Sequence, residues 1–176
     1  MRPTIRYIKE NNKENRALIG IEIGVQRGTN ALSILKELKI KKLYLIDPYL
    51  NSRGKRNYPF LERRILSQEK YMDKVLFIRK TSEDAIKFIP DELDFVYADG
   101  SSEYKVYYND IKEYYNKLRI GGIIGGQIGW SENPQIKYRV LAMEKFMDEH
   151  EFIPKICDNE FPSKSKGGRD WWIVKK

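Results

Sequence analysis

The sequence predicts an α/β protein with a doubly wound, mostly parallel sheet and helices on both faces. Three observations predict it. Five short apolar runs alternate with amphipathic segments of helical period. The residues able to do chemistry fall just after those runs, at the carboxyl ends where open parallel sheets bind ligands. The final stretch, "EFIPKICDNEFPSKSKGGRDWWIVKK", reads as two strands with no helix between them, a hairpin that must contain an antiparallel strand.

Each element follows in order. "ALIGIEIG" (17–24) is the first strand, and "TNALSILKELK" (29–39) carries Ala31, Ile34, Leu35 and Leu38 at helical spacing. "KLYLID" (42–47) is the second strand. A loop from Pro48 to Asn57 is expected next, rich in Asn, Ser, Gly and Arg, then a helix from Pro59 to Asp73. "VLFIRK" (75–80) is the third strand. Thr81 or Ser82 caps the helix after it, with Glu83 and Asp84 in its first turn. "LDFVYADG" (93–100) is the fourth strand, followed by a helix from Glu103 to Leu118. "RIGGIIGGQ" is a turn and a fifth strand, and "NPQIKYRVLAMEKFMDEH" a long helix with Pro134 in its first turn. With the hairpin, the sheet has seven strands. Trp171 and Trp172, adjacent in a strand, face opposite ways. One is expected in the core and the other exposed or covered by a partner. No linker or repeat divides residues 1–176, so a single domain is expected.

Bulk composition narrows the class. No apolar run approaches the ~20 residues of a membrane helix. The opening "MRPTIRYIKENNKENR" lacks the apolar stretch of a signal peptide. Cys157 is the single cysteine, so no disulfide forms within the chain, and a cytoplasmic location is expected. With 33 Lys and Arg against 25 Asp and Glu, the net charge is +8. That balance suits nucleic acid or an anionic substrate, or serves solubility alone, and the lysines are dispersed rather than blocked.

"IEIGVQRGTN" (21–30) holds the first chemical clue. A strand ends in Glu22, passes Gly24 and Gly28, and enters a helix, an arrangement that brings backbone against a small ligand. The spacing is G-x-x-x-G, not the G-x-G-x-x-G of dinucleotide sites, and no Walker G-x-x-x-x-G-K-[ST] occurs. Asp47 ends the second strand about 20 residues on, where an acid accepts hydrogen bonds from both ribose hydroxyls of a nucleoside. Asp47-Pro48 also makes an ordinary turn start.

"DFVYADG", followed by "LRIGGIIGG", completes a pattern that resembles the class I S-adenosylmethionine-dependent methyltransferases. The chain is most similar to the small Rossmann-like family reading E-I-G-x-x-x-G, then I-D-P, then D-G-D-H-x-Y, then L-x-x-G-G ending in G-H-D. The resemblance covers Leu18 to about Gly129, with a similar closing W-[IL]-x-K. It implies a three-layer sandwich and S-adenosylmethionine as cofactor. It further implies Glu22 at the methionine amino group and Gly24 and Gly28 beside the methionine and ribose. Asp47 would hold the ribose hydroxyls, Ser82 and Glu83 the adenine edge, and Asp99 the sulfonium side. Thr81 to Asp84 are equally explained as a helix cap.

The pattern breaks at "ADGSSEY", where Ser101 and Ser102 replace Asp-His, and at Gln127-Ile128, which replace His-Asp. Serine and glutamine are poor ligands beside Asp and His, so no metal site is expected. Candidate bases are Asp99, Glu103, Tyr104 and Glu132. His150, ending the long helix, is expected on the surface, away from the strand ends. Arg53, Lys55 and Arg56 could overhang the pocket and meet an anionic substrate. Lys164, Lys166 and Arg169 of the hairpin lie beside the two tryptophans and could, with them, stack nucleic-acid bases. The expected activity is metal-independent methyl transfer to an oxygen of a small-molecule acceptor. The alternatives are a non-catalytic binding protein on the same fold, or a nucleic-acid methyltransferase or binder. The N-P-P-[YF] signature of amino-directed nucleic-acid enzymes is missing after the fourth strand. So little chain lies outside the core that loops or another subunit must cover the substrate.

Overall fold

The structure, a computed structural model, describes residues 1–128, 134–158 and 169–176. Trp130, Glu132, Lys164 and Lys166 lie outside the described residues. The side chain of Arg53 does too.

Seven strands form one sheet: β1 (Leu18–Ile23), β2 (Ile40–Ile46), β3 (Val75–Ile78), β4 (Leu93–Ala98), β5 (Leu118–Ile128), β6 (Lys155–Asp158) and β7 (Arg169–Val174). Their order is β3-β2-β1-β4-β5-β7-β6. The first five in that order pair in parallel, and β7 runs antiparallel to both β5 and β6. The expected doubly wound sheet with an antiparallel hairpin is therefore what forms. Strand order reverses between β1 and β4, and a crevice opens above their carboxyl ends at such a switch point.

Seven helices accompany the strands among the described residues: α1 (Pro3–Asn11), α2 (Thr29–Glu37), α3 (Ser52–Leu66), α4 (Glu69–Met72), α5 (Ser82–Ala85), α6 (Tyr104–Asn116) and α7 (Pro134–Glu149). Two apolar layers sandwich the sheet. One gathers Ile21, Ile23, Val96, Ile111, Phe146 and Trp171. The other gathers Ile34, Leu43, Leu45, Leu61, Phe95 and Trp172. β1 serves both layers by alternation, with Ile21 and Ile23 toward the first.

Three departures from the sequence expectation matter for the site. Helix α1 forms from the polar amino-terminal stretch, burying Thr4, Ile5 and Ile8, and the Thr4 hydroxyl donates to the Trp171 carbonyl at 3.3 Å. Trp172 is accordingly buried against α1, with Tyr7 5.2 Å from its ring centre, so neither tryptophan is exposed. Helix α3 begins at Ser52, not Pro59. The Asn51 side chain caps it by accepting from the Gly54 amide at 2.7 Å, and Pro59 sits inside it. A buried apolar stripe through Leu61 and Ile65 outweighs the proline's missing donor.

Candidate functional site

The turn after β1 is shaped by its glycines. Gly24 has φ +84°, and a Cβ there would stand 2.3 Å from the Asp99 carbonyl oxygen. Gly28 has φ +71°, and a Cβ would stand 2.0 Å from Leu61 of α3. Both positions favour glycine because the protein's own backbone and core press on a left-handed residue. The sequence expectation attributed this to a nearby ligand, and the structure supplies a nearer cause. The turn's amides are also engaged internally. Gly24 N donates to the Ile46 carbonyl and Gly28 N to the Val25 carbonyl, each at 2.8 Å.

Above this turn lies a cleft of about 370 Å³ between the ends of β1, β2 and β4. Gly24, Asp47, Ser82, Asp99 and Ser101 line it, and Ile46 and Val106 give it apolar walls. The structure thus brings together Gly24, Asp47, Ser82 and Asp99 of the expected set. Gly28 stays behind the turn, and Glu22 does not line the cleft either, being buried behind it in β1. Glu83 is exposed and faces an adjoining hollow of about 320 Å³ that shares Ser82, Val106 and Asp110 with the cleft. Glu103 and Tyr104 do not line the cleft: Glu103 is exposed at the start of α6, and Tyr104 stacks on Tyr108 with ring centres 6.3 Å apart. His150 is exposed after α7, its Nδ1 2.9 Å from the Phe146 carbonyl.

Asp47 is anchored by backbone. Its Oδ2 accepts from the Gln26 amide and its Oδ1 from the Tyr49 amide, each at 2.9 Å. A carboxylate oxygen has room for a second donor, so both oxygens remain able to accept from a ligand. Thr81 caps α5, its hydroxyl accepting from the Asp84 amide at 3.2 Å.

Glu22 is buried on the α2 side of β1. Asn30 Nδ2 donates to its Oε1 at 3.3 Å, while Oε2 has no hydrogen-bond partner among the described residues. Burial raises its pKa to about 8, and the nearby Asp99 carboxylate adds to the rise. A buried acid with an orphaned oxygen, next to a second carboxylate, favours a bound cation.

Asp99 shows what sequence reasoning missed. Arg139 of α7, nearly buried, donates to Asp99 Oδ1 at 2.8 Å. The same guanidinium donates to the carbonyls of Gly100 at 2.7 Å, Ser101 at 2.8 Å, Gln127 at 3.1 Å and Asp99 at 3.3 Å. On the other side, Arg2 Nη2 lies 3.9 Å from Asp99 Oδ2 and donates to Gln127 Oε1 at 2.9 Å. Arg2 Nη1 reaches Asp170 Oδ1 at 3.3 Å. Burial raises the Asp99 pKa, opposed by Arg139 and then Arg2. Asp110 of α6 is the third missed residue. It is buried on the cleft wall, its Oδ2 has no partner among the described residues, and burial raises its pKa to about 6, opposed by a hydrogen bond with Ser82. Arg139 had a legible signal, a cation on the helix face that also carries Ala142, Met143 and Phe146. Arg2 had none.

No cluster of three His, Cys, Asp or Glu suited to a metal occurs among the described residues. Gln127 is engaged by Arg2, and Ile128 is buried.

Comparison with known proteins fits this geometry. A family model described as a methyltransferase domain matches residues 21–126. An uncharacterised protein of Acanthamoeba polyphaga mimivirus is 28% identical over 119 residues, 65% of this chain and 52% of that protein. This chain therefore spans about half the length of that relative. Among solved structures, an O-methyltransferase from Bacillus cereus in complex with SAH superposes with a TM-score of 0.73 at 15% identity, over 99% of this chain and 82% of that one. An rRNA methylase from Streptococcus thermophilus gives 0.71 at 15% identity, over 99% and 97%. The turn at Gly24, the acid at Asp47 and the crevice between β1 and β4 all lie within or beside the matched residues, and the chain belongs to the methyltransferase-domain family.

Proposed function

We propose that the protein transfers a methyl group from S-adenosylmethionine to an oxygen of its acceptor, without a metal ion. The observation that carries this reading is the cleft with Asp99 on its wall and, buried just behind the lining, Glu22, an acid close enough to feel the Asp99 charge and whose Oε2 has no hydrogen-bond partner among the described residues. Those two carboxyls suit the ammonium and sulfonium of the cofactor. Asp47, at the far side of the cleft, suits the ribose hydroxyls. Ile46 and Val106 suit the faces of the adenine. Ser82 stands toward the adenine edge in this arrangement, and Glu83 stands outside the cleft.

The cofactor supplies an already activated methyl group. When bound, it would give that methyl to the acceptor oxygen, sulfur keeping the electron pair of the broken sulfur–carbon bond. The chain's own task is alignment and removal of the acceptor proton. Asp99 lines the cleft, and burial makes its carboxyl more basic than usual. Its Oδ1 is held by Arg139, while Oδ2 lies beyond hydrogen-bonding reach of Arg2. Asp99 is therefore the group proposed to accept the proton. Glu103 and Tyr104 would have to move to reach the cleft, and Glu132, the fourth candidate, lies outside the described residues. The two guanidiniums flanking Asp99 already supply positive charge of the kind a divalent ion would bring, which supports the metal-independent reading.

A small-molecule acceptor needs only the cleft and its open side. A second reading, an acceptor that is part of a nucleic acid, is favoured by one observation: the outward face of α3 beside the cleft carries four cations and no acid.

Thermal unfolding with added ligand tests the donor. S-adenosylmethionine and S-adenosylhomocysteine should raise the melting temperature in a concentration-dependent way, and NAD should not. A rise with NAD alone would overturn the reading.

A further inference from the structure

Helix α3 presents an exposed stripe made of Ser52, Lys55, Arg56, Pro59, Phe60, Arg63 and Arg64. These positions recur at intervals of three and four, so they share one face. Four of the seven are cations and none is an acid. Glu62, the helix's acid, is half-buried and accepts a hydrogen bond from Tyr58. None of Lys55, Arg56, Arg63 and Arg64 joins an ion pair among the described residues. A merely solvated helix face normally intersperses the two signs at i,i+4 spacing, as Lys145 and Glu149 do on α7. This face does not.

Phe60 is 61% exposed in the middle of the stripe, an aromatic surface among cations. Arg79, exposed just beyond the end of β3, stacks its guanidinium 4.3 Å above the ring of Tyr58, on the inward flank of α3, and stands outside the stripe. The stripe begins where the chain leaves the cleft. Asn51, Gly54 and Asn57 line a hollow of about 290 Å³ that shares Gln26, Asp47 and Pro48 with it. From Lys55 to Arg64 the helix rises about 14 Å, enough to follow a short run of backbone phosphates.

We infer that this face of α3 docks a single-stranded nucleic acid, with phosphates along Lys55, Arg56, Arg63 and Arg64 and a base stacked on Phe60. Positive charge tracking the backbone with an aromatic platform between is the pattern of strand binding without sequence preference. A membrane surface is a poorer match. An interfacial helix offers lipid a broad apolar face, whereas the apolar residues of α3, Leu61 and Ile65, are spent on the core. Docking needs no cofactor. The further step, that the strand carries the methyl acceptor to the cleft, rests on the methyltransferase reading above.

Fluorescence anisotropy with a labelled mixed-sequence 12-nucleotide RNA and its DNA counterpart, each single-stranded and as a duplex, tests the inference. The intact protein should bind the single strands. The variant Lys55→Gln/Arg56→Gln/Arg63→Gln/Arg64→Gln should lose roughly tenfold to a hundredfold in affinity, and its log–log salt slope should flatten by about 3. A control of equal charge loss at the amino-terminal ends of β1 and β2, the end of the sheet away from the cleft, Lys13→Gln/Lys36→Gln/Lys39→Gln/Lys41→Gln, should keep most of the affinity and the slope. Phe60→Ala should weaken single strands at least about fivefold and duplex much less. Absence of binding by the intact protein, equal loss in both quadruple variants, or α3-dependent binding to phosphatidylserine vesicles without oligonucleotide binding would each overturn it. Calorimetry with S-adenosylhomocysteine on the same preparations separates the two proposals. Strand binding without cofactor binding would sink the methyl-donor reading and leave the docking face standing, and the converse would do the opposite.

Discussion

Arg139 holds Asp99 twice, through the carboxylate at 2.8 Å and the carbonyl at 3.3 Å, and so joins α7 to the end of β4. Its remaining donors go to the carbonyls of Gly100, Ser101 and Gln127. Five oxygens thus converge on one nearly buried guanidinium. Removing it leaves a half-buried carboxylate facing Arg2 alone and several carbonyls without this donor. Arg139→Ala should destabilise the fold by about 3–5 kcal/mol, the scale for breaking a buried ion pair from one side. Arg139→Lys should recover only part, since an ammonium has three donors rather than five. Urea unfolding checks both; an Arg139→Ala variant within about 1 kcal/mol of the parent, an ordinary surface effect, would contradict this role.

The same clamp bears on metal dependence. Asp99 faces guanidiniums on two sides, and Ser101, Ser102 and Gln127 are neutral. Turnover with a matched acceptor should therefore survive EDTA and gain nothing from added magnesium. Loss with EDTA and recovery with magnesium would mean that other carboxylates assemble a site.

Glu22 gives a pH prediction. Its pKa is about 8 in the folded protein against an ordinary 4.5, because burial and then Asp99 disfavour its charge. The folded state therefore binds this proton more tightly than the unfolded one. That contribution is fully present below about pH 4.5 and is lost as pH rises through about 8. It amounts to a few kcal/mol, since each tenfold gain in proton affinity is worth about 1.4 kcal/mol. Glu22→Gln should flatten the fall in stability between those limits. Denaturant titrations of both proteins from pH 5 to pH 9 would show it, and parallel curves would mean that Glu22 ionises freely in the fold.

Asp47→Ala should weaken S-adenosylhomocysteine binding by roughly 1.5–3 kcal/mol, the scale of hydrogen bonds to a charged group. The fold should survive, because the bond from the Gln26 amide is exposed and Tyr49, whose amide gives the other, is held independently by its buried ring. Calorimetry on the folded variant checks this, and unchanged affinity would place the ribose elsewhere.

The sheet was legible because its signal is local. Alternating β1 and near-continuous β4 announce strands, and the pair of tryptophans announces another, though not that both of its faces are buried. What escaped depends on contacts far apart in sequence. Helix α1 has few apolar residues, and its partner Trp171 lies 167 residues from Thr4. Helix α3 was obscured by Pro59 and its polar start, although Asn51 is a regular cap. At the site, Asp47 and Asp99 end strands and so declare their position. Arg2, just before α1, and Arg139, in α7, reach Asp99 from 97 and 40 residues away, and only the fold reveals them.

The measurement that bears most directly on the central claim is a crystal structure of the protein soaked with S-adenosylhomocysteine. The expected result puts both ribose hydroxyls within hydrogen-bonding distance of Asp47, the purine between Ile46 and Val106, and the amino group directed toward Glu22 and Asp99. A ligand seated elsewhere, or a ribose out of reach of Asp47 with the cleft between β1, β2 and β4 left empty, would contradict it.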